Sequence, residues 1–468
     1  MNSSLSADGV TPTDSLSLPR RLGPFDGASI IVSNVIGSGI FLAPALVAAW
    51  VPNVWAMLGA WLAGGVLAFT GAMAYAELAA LRPRAGGEYV YLREAFGPVA
   101  GFLTGWTSFI AGFSGAIAAA AVGFAIFLGQ IVPAAADSTP IVSLSVGVVA
   151  FTVSRQTLTA LTVIAALTLV HVVGLGPSRI VQNLLAGAKI TVLVVILVLG
   201  FTIGDGVTAN FTLPNQPVSP ELWLLALIPI MFSFSGWNAA AYVAEEIRDP
   251  GRNVPLAMAL GTVVVVVIFL LLNVLYVYAM PINEIATVNV RVIDVAAGRL
   301  FGPQVATPVA VASAVMIMAS ISAMVMAGPR VYYAMARDGQ FFNVAARVHP
   351  TFRTPAVAIV AQSIWSGILV VAGTFSQLLL YTGFAVVLFA GTAVTALFVL
   401  RRRIPEAPRP FRAWGYPAAP AVFVAASLAM VANYVWRQPM ESGVGLLLIA
   451  AGIPLYWAFK RASTNEGT

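Results

Sequence analysis

The chain has 468 residues, of which 59% are hydrophobic and only 9% are charged, and its mean hydropathy is +0.91. Soluble domains carry about 25% charged residues, so this composition excludes a soluble protein and indicates a polytopic membrane protein. The net charge is +6, but the basic residues lie in short loops rather than on one patch, which argues against a nucleic-acid partner. The absence of cysteine excludes disulfides, thiolate catalysis and sulfur-ligated metals, and two histidines disfavour a histidine-built metal site. We expect no cofactor.

The hydropathy pattern predicts an all-α membrane protein, because a membrane-crossing helix needs about 20 apolar residues. Residues 1–21 are rich in Ser and Thr and lack a signal-peptide pattern, which indicates a disordered tail. Residues 141–154 are too few to cross the membrane and are expected to form an outer loop. The twelve predicted spans cover residues 25–50, 54–80, 97–132, 156–174, 178–203, 219–246, 254–280, 303–334, 355–373, 376–400, 418–436 and 442–460.

The placement of positive charges supports this count of spans. With the N-terminus inside, nineteen of the 24 Lys and Arg residues fall on the cytoplasmic side and only four fall outside. Making 141–154 a span would move every later loop to the other side and destroy this bias. We therefore expect a multi-pass protein of the cell membrane (plasma or inner membrane) with both termini in the cytoplasm.

The first span contains a stretch, Ile36 to Phe41, that is poor material for an uninterrupted helix because it includes two glycines and a serine. Unpaired backbone groups at membrane depth are tolerated only where they are buried in protein or line a cavity. The stretch therefore predicts a broken helix that offers backbone groups to a polar ligand. Taken alone, it is equally compatible with close helix packing through small residues.

The sixth span carries a second interruption of the same kind, from Phe232 to Asn238. Such defects at corresponding positions indicate two five-helix repeats of inverted topology, with a binding site where the broken helices meet. We assign residues 22–204 to the first repeat and 205–401 to the second. A basic loop with helices eleven and twelve follows at 402–461, and 462–468 are expected to form a cytoplasmic tail.

Lys189 is the clearest ionisable residue inside a span, and such residues are functional hypotheses because a charge in lipid is costly. Snorkelling to the cytoplasmic interface is the alternative, but roughly ten residues at about 1.5 Å each make that reach marginal. We favour an ammonium that faces inward. It would either take the place of a bound sodium ion among carbonyls of the broken helix or exchange a proton.

Several motifs together resemble the amino acid–polyamine–organocation superfamily, and in particular its L-type, light-subunit branch. The resemblance covers most of residues 22–400, whereas spans eleven and twelve carry no motif. The motifs are Gly37-Ser38-Gly39-Ile40-Phe41, Tyr75-Ala76-Glu77-Leu78, Gly86-Gly87-Glu88-Tyr89-Val90-Tyr91, Phe232 to Asn238 followed by Glu245-Glu246, and Arg330 to Gly339.

This resemblance implies exchange or uptake of amino acids by alternating access, in the fold typified by the bacterial leucine transporter. Backbone amides around the first break would bind the substrate carboxylate, which agrees with anion binding at helix N-termini. The implied amides are those of Ser38, Gly39 and Ile40. The α-ammonium would be received by carbonyls near Ile36 and by those of Phe232, Ser233 and Ser235, beside Gly236.

The resemblance also implies roles for side chains. Lys189 corresponds to a fifth-helix lysine found in sodium-independent members, and its implied partners are first-helix carbonyls and the hydroxyl of Ser320 or Ser322. Phe234 resembles the aromatic gate over the bound substrate.

Two departures from that branch bear on function. Animal light subunits attach to a glycoprotein partner through a cysteine, so a chain without cysteine cannot have a disulfide-linked heavy subunit. Ser235 stands where relatives that take large substrates have glycine, and its hydroxymethyl group is expected to narrow the pocket. The pocket walls that the sequence identifies contain no acid and no base, which indicates small neutral L-amino acids.

Three alternatives were weighed against this interpretation. A membrane-embedded enzyme would need paired carboxylates or a His/Asp cluster within spans, and a channel would need repeated polar rings along a pore. Neither pattern is present, so we expect no enzyme. The runner-up is a cationic amino acid or polyamine permease of the same superfamily, which an acidic residue facing the pocket would favour. Exchange and proton symport both stay open because Lys189 permits both, and the oligomeric state is open too.

Overall fold

The computed structural model describes residues 20–146, 149–173, 175–213, 216–288, 292–373 and 375–465. In the first half the helices are α1 Pro24–Val35, α2 Ser38–Trp50, α3 Val54–Leu81, α4 Glu88–Phe96, α5 Pro98–Thr107, α6 Phe113–Leu128, α7 Arg155–Val173 and α8 Leu175–Thr202. In the second half they are α9 Pro220–Ser233, α10 Ala239–Tyr242, α11 Pro250–Ala279, α12 Ile282–Thr287, α13 Val292–Phe301, α14 Ala306–Ala327, α15 Pro329–Arg337, α16 Ala356–Ala372, α17 Phe375–Arg403, α18 Ala418–Arg437, α19 Pro439–Ala450 and α20 Gly452–Asn465.

Nine helical segments of the described residues are long and apolar enough to cross a membrane, and the bent pair α1 and α2 makes ten. Two further helices, α9 and α16, are apolar but shorter, with 14 and 17 residues. α9 lies in the first half of the sixth predicted span, and α16 coincides with the ninth. The predicted all-α membrane protein is therefore confirmed, whereas the count of twelve spans and the inverted repeat stay predictions.

Residues 141–154 contain an antiparallel hairpin, β1 Val142–Val146 and β2 Val149–Val153. Val142 pairs with Val153, and Val146 pairs with Val149. Apolar residues alternate with serine along β1, which is the period that favours a strand. The segment is not a membrane-crossing helix, as its length predicted, but the strands were not predicted.

Both predicted helix breaks are present. α1 and α2 are the two halves of the first predicted span and are bent by 45° relative to each other. α1 ends at Val35 because Ile36 has extended backbone, with φ −74° and ψ 94°. In the sixth predicted span, α9 ends at Ser233, and Gly236 follows with φ +104°, a left-handed conformation that favours glycine.

The bent pair lies at the centre of the molecule. α1 packs against α8, α11 and α14, whereas α2 packs against α9 and α12. Ile31, Ile36 and Phe41 have no exposed surface and belong to the main hydrophobic core. This packing brings α8, which carries Lys189, and α14, which carries Ser320, next to the break in the first span.

Ion pairs join helix ends on the side that the charge pattern assigns to the cytoplasm. Glu77 of α3 is fully buried and accepts hydrogen bonds from Arg401 of α17 at 2.9 and 2.6 Å and from the amide of Ala413 at 2.7 Å. Arg330 of α15 is buried and pairs with Glu246 at 3.0 Å. A buried charge that loses its partner costs about 3–5 kcal/mol, so these pairs hold the connected segments in fixed positions.

Candidate functional site

The start of α2 presents backbone amides at the first break. Ser38, Gly39 and Ile40 occupy the first three helical positions, where an α-helix leaves its N–H groups without an intrahelical acceptor. Gly37, the N-cap residue, has no side chain that accepts from them. Within the part of the chain that the structure describes, the amides of Gly39 and Ile40 form no hydrogen bond. Bare amides at the positive end of a helix dipole form an anion-binding arrangement. The side chain of Ser38 lies outside the described residues.

The two breaks meet at Gly39 and Ser233. A Cβ atom on Gly39 would lie 2.7 Å from the Cα of Ser233 and 2.9 Å from its Oγ, which is too close for any residue but glycine without a backbone shift. Gly236 approaches the first break in the same way, because its Cβ would lie 2.6 Å from the Cβ of Asn34. The glycines therefore allow the two breaks to approach each other closely, and they also interrupt the helices.

Carbonyl groups of the second break form the opposite face of this site. The carbonyl of Phe232 accepts hydrogen bonds from the amides of Phe234 and Ser235. The carbonyls of Ser233 and Ser235 accept none from other described residues. They lie at the C-terminal, negative end of the α9 dipole, where a cation is favoured. The carbonyl of Ile36, also predicted to receive an ammonium, is already engaged by other donors.

Lys189 supplies one of these donors. Its side chain is 1% exposed, and its Nζ donates to the carbonyl of Ser33 at 2.8 Å, the carbonyl of Ile36 at 2.6 Å and the Oγ of Ser320 at 2.8 Å. It therefore does not snorkel to an interface. Of the two serines that the sequence analysis offered, Ser320 contacts Lys189. Ser322 is instead bonded to His171, with Oγ and Nε2 2.8 Å apart.

The hydrogen-bond pattern around Lys189 matches the protonated form. With the hydroxyl hydrogen of Ser320 directed at the carbonyl of Ile36, 2.6 Å away, the oxygen of Ser320 accepts from Lys189. The two carbonyls are acceptors only. An ammonium has three N–H donors for these three acceptors, whereas a neutral amine would donate to the two carbonyls and would need the hydroxyl of Ser320 to turn and donate to its lone pair.

Phe234 does not line the cavity beside the breaks. Its ring is 1% exposed and packs against Trp61 and Phe269, with ring centroids 6.1 and 5.0 Å apart. The predicted role of Phe234 as a gate over the substrate therefore stays a prediction. The aromatic rings that do line the cavity are those of Phe113, Phe389 and Tyr242, which the sequence analysis did not select.

A cavity lies beside the second break. Asn34, Ser235, Gly236 and Asn238 form its wall at the breaks. The opposite wall comes from the third predicted span, where a π-helical segment, Ser108–Gly112, joins α5 to α6. π-helical segments occur frequently at functional sites, but a π-turn leaves no periodicity that a sequence reveals. The residues of this span that line the cavity are Thr104, Thr107, Ser108, Gly112, Phe113 and Ala116.

The structure adds an acid to the pocket walls named from the sequence. Glu88, the first residue of α4, lines the cavity. Its Oε1 accepts hydrogen bonds from the hydroxyl of Tyr75 and the Nδ2 of Asn238, both at 2.7 Å. No Lys or Arg among the described residues forms an ion pair with Glu88. Burial raises the pKa of the Glu88 carboxyl above its ordinary value, and hydrogen bonds from Tyr75, Tyr242 and Asn238 oppose that rise.

Local chain geometry explains why Glu88 reaches the cavity. Gly86 and Gly87 have φ angles of +112° and +50°, which turn the chain between α3 and α4. A Cβ on Gly87 would lie 2.6 Å from the ring of Tyr242, so this turn lies directly against the segment after the second break. The Gly86-Gly87-Glu88 motif was a signal for this turn, but the predicted spans leave these residues in a loop, whereas Glu88 begins α4.

Comparisons with known proteins find relatives that match nearly the whole chain. The family model described as amino acid permease matches residues 22–459. The chain is 28% identical to the serine/threonine exchanger SteT of Bacillus subtilis (strain 168), over 97% of this chain and 100% of that protein. It is 28% identical to the human cystine/glutamate transporter, over 95% and 86%. It is 29% identical to the b(0,+)-type amino acid transporter 1 of Oryctolagus cuniculus, over 95% and 88%.

Replacing Gly39 with Val should abolish binding of a neutral amino acid, because the new side chain would collide with the backbone of Ser233 and cover the amides of α2. Binding of radiolabelled serine to purified protein measures this effect. Gly59→Val is the matched control, since a Cβ at Gly59 meets nothing within 4 Å. Unchanged affinity in Gly39→Val would contradict the assignment of the site.

Replacing Lys189 with Ala should reduce serine uptake to background while the protein still folds. The substitution leaves the carbonyls of Ser33 and Ile36 without their cationic donor, and an unsatisfied buried acceptor costs about 1–3 kcal/mol. Uptake into proteoliposomes and monodispersity in detergent are the two measurements. Leu184→Ala, on the exposed face of the same helix, should transport normally. Sodium-free uptake at the unmodified rate in Lys189→Ala would remove Lys189 from the mechanism.

Proposed function

The chain belongs to the amino acid permease family, and from this premise we propose that it exchanges small neutral L-amino acids across the cell membrane by sodium-independent alternating access. Amino acid transport as such is supported by the family match and by relatives whose names state amino acid transport or exchange. The observation that carries the finer proposal is the contact between the two helix breaks at Gly39 and Ser233.

That contact suits the carboxylate and the α-ammonium, which all amino acids share. The amides of Ser38, Gly39 and Ile40 are placed to bind a carboxylate at the positive end of α2. The carbonyls of Ser233 and Ser235 are placed to accept from an α-ammonium at the negative end of α9. A zwitterion would thus meet a helix end of opposite sign on each side, as in transporters that bind substrate at discontinuous helices.

Lys189 supports independence from sodium. The carbonyls of Ser33 and Ile36 and the hydroxyl of Ser320 are oxygen ligands of the kind that hold a metal cation at a helix break. The ammonium of Lys189 already provides a positive charge among them, covalently attached to α8. A sodium ion at the same place would be repelled by that charge.

The cavity wall supports a small side chain. Ser235 lines the cavity next to Gly236. Its hydroxymethyl group is expected to reduce the space for the side chain of a bound substrate. Thr104, Thr107 and Ser108 add hydroxyl groups to the facing wall. Hydroxyl groups suit a small polar substrate such as serine, and the similarity to a serine/threonine exchanger over its whole length agrees with this choice.

A second candidate function is a cationic amino acid permease, and one observation favours it. Glu88 places a carboxyl group in the cavity wall without a basic partner among the described residues. A substrate with an ammonium or guanidinium side chain would complement an ionised Glu88. Competition by lysine and arginine distinguishes the two candidates.

We further propose that both termini lie in the cytoplasm and that the protein works without a disulfide-linked subunit. The first proposal rests on the excess of positive charge on one side of the predicted spans. The second rests on the absence of cysteine from the chain.

Proteoliposomes should accumulate radiolabelled serine rapidly when they contain unlabelled serine and only slowly when they are empty, because an exchanger returns fastest with a substrate bound. The signal should be the same with choline in place of sodium. Excess alanine or threonine should compete, whereas lysine and arginine should not. Equal uptake into empty and loaded vesicles would indicate uniport or symport, and strong competition by lysine would favour the cationic candidate.

Replacing Ser235 with Gly should widen acceptance to leucine and phenylalanine, because the cavity gains the space of the hydroxymethyl group. The measurement is competition of each amino acid against serine exchange. Ser235→Ala is the matched control: it removes the hydroxyl but keeps Cβ, so large substrates should stay excluded. An unchanged competition profile in Ser235→Gly would show that Ser235 does not limit the pocket.

A further inference from the structure

We propose that Glu88 is the proton-binding residue of the cavity and that its protonation permits exchange of neutral amino acids. This inference rests on the proposed function. It assigns the pH dependence of transport to a residue outside the predicted spans, in place of Lys189.

At Lys189, loss of a proton would change the contacts of the helix break. All three N–H groups of its ammonium have an acceptor, and the hydroxyl of Ser320 donates to the carbonyl of Ile36. A neutral amine would keep its bonds to the two carbonyls, but the hydroxyl of Ser320 would have to leave the carbonyl of Ile36 and donate to the amine nitrogen. A proton can therefore leave Lys189 only with a rearrangement at the helix break itself.

Glu88 is held by donors rather than by acceptors. Its Oε1 accepts hydrogen bonds from Tyr75 and Asn238. Glu88 also lines the cavity. A proton on Oε2 would keep both of these hydrogen bonds, because they end on Oε1. Glu88 can therefore gain or lose a proton without losing its contacts to Tyr75 and Asn238.

Among the titratable side chains around Glu88, its own carboxyl is the one expected to change protonation in the range of a carboxyl. Tyr75 of α3, Tyr242 of α10 and Tyr91 of α4 are the titratable side chains that act on it. Phenols ordinarily lose their proton near pH 10, far above the range of a carboxyl. A second carboxyl that contacts this turn, that of Glu245, accepts from the amide of Ala85 and pairs with Arg337 at 3.2 Å.

The basic residue on the same helix as Glu88 contacts other groups. Arg93, five residues further along α4, forms an ion pair with Asp338 and donates a hydrogen bond to the hydroxyl of Tyr89 at 3.2 Å. It does not neutralise Glu88. An ionised Glu88 beside a zwitterionic substrate therefore leaves one uncompensated negative charge in a wall of the cavity. Burial of such a charge is costly, so the loaded cavity favours a proton on Glu88.

Protonation should also ease movement of the cavity wall. Glu88 joins α4 to α3 through Tyr75 and to the segment after the second break through Asn238. Hydrogen bonds to an ionised acceptor are stronger than those to a neutral one, so the carboxylate holds these segments together more firmly than the acid does. Both effects have the same sign: exchange of neutral substrates is faster with the proton bound.

The test is the pH profile of serine exchange in proteoliposomes with the same pH on both sides, from pH 5 to 8.5. In the unmodified protein the rate should fall as pH rises through the Glu88 pKa, approaching about tenfold per pH unit above it. Glu88→Gln, which mimics the protonated form, should exchange serine at a rate that does not change with pH. Glu88→Asp keeps a titratable group and should keep a pH dependence with a shifted midpoint.

Glu94→Gln is the matched control on the same helix, because Glu94 pairs with Arg82 away from the cavity, and it should keep the unmodified profile. A flat profile in the unmodified protein, or a Glu88→Gln profile equal to it, would overturn the inference while leaving serine exchange established. Absence of serine exchange in the unmodified protein at every pH would contradict the proposed function, and this inference with it.

Discussion

The interaction on which the rest of the site depends is the one between Lys189 and the broken end of α1. A helix that stops inside the membrane leaves carbonyls without partners, and each unsatisfied group in an apolar environment costs several kcal/mol. Lys189 donates to two of these carbonyls, and Ser320 donates to one of them as well. With the end of α1 satisfied in this way, the start of α2 can keep its amides bare. The break is thus stabilised on one side and open to a ligand on the other.

The features of this arrangement that could be predicted are those that a short stretch of sequence reveals. Two glycines within the first apolar run marked the break, and a lysine within the fifth apolar run marked its partner, because neither belongs in an ordinary membrane helix. The same reasoning identified most helices of the fold, with bounds close to those observed; α16, for example, matches the ninth predicted span within one residue at each end. α9 covers only the first half of the sixth predicted span, and it ends within the interruption that the glycine and polar residues from Phe232 to Asn238 predict.

The parts that the sequence could not provide depend on tertiary placement. Glu88 lies in the polar segment between the second and third predicted spans, at the start of α4, and the turn at Gly86 and Gly87 brings it to the cavity. The choice between Ser320 and Ser322 depends on the rotation of α14, which two residues on one helix cannot reveal. The π-helical segment from Ser108 to Gly112 shifts the register of the third span, so the side chains that line the cavity do not follow a 3.6-residue period.

The two ionisable groups of the site are held in opposite ways, and this difference divides their work. Lys189 donates to three oxygen atoms at the break in α1, so loss of its proton would rearrange that break. Glu88 accepts from Tyr75 and Asn238 on Oε1, so a proton on Oε2 would leave both of these contacts in place. In the proposed mechanism, Lys189 stabilises the break that presents backbone groups to the carboxylate and ammonium of every amino acid. Glu88 lies instead in the wall of the cavity, beside Ser235 and Asn238, where a change in its protonation would alter the charge that a substrate side chain meets.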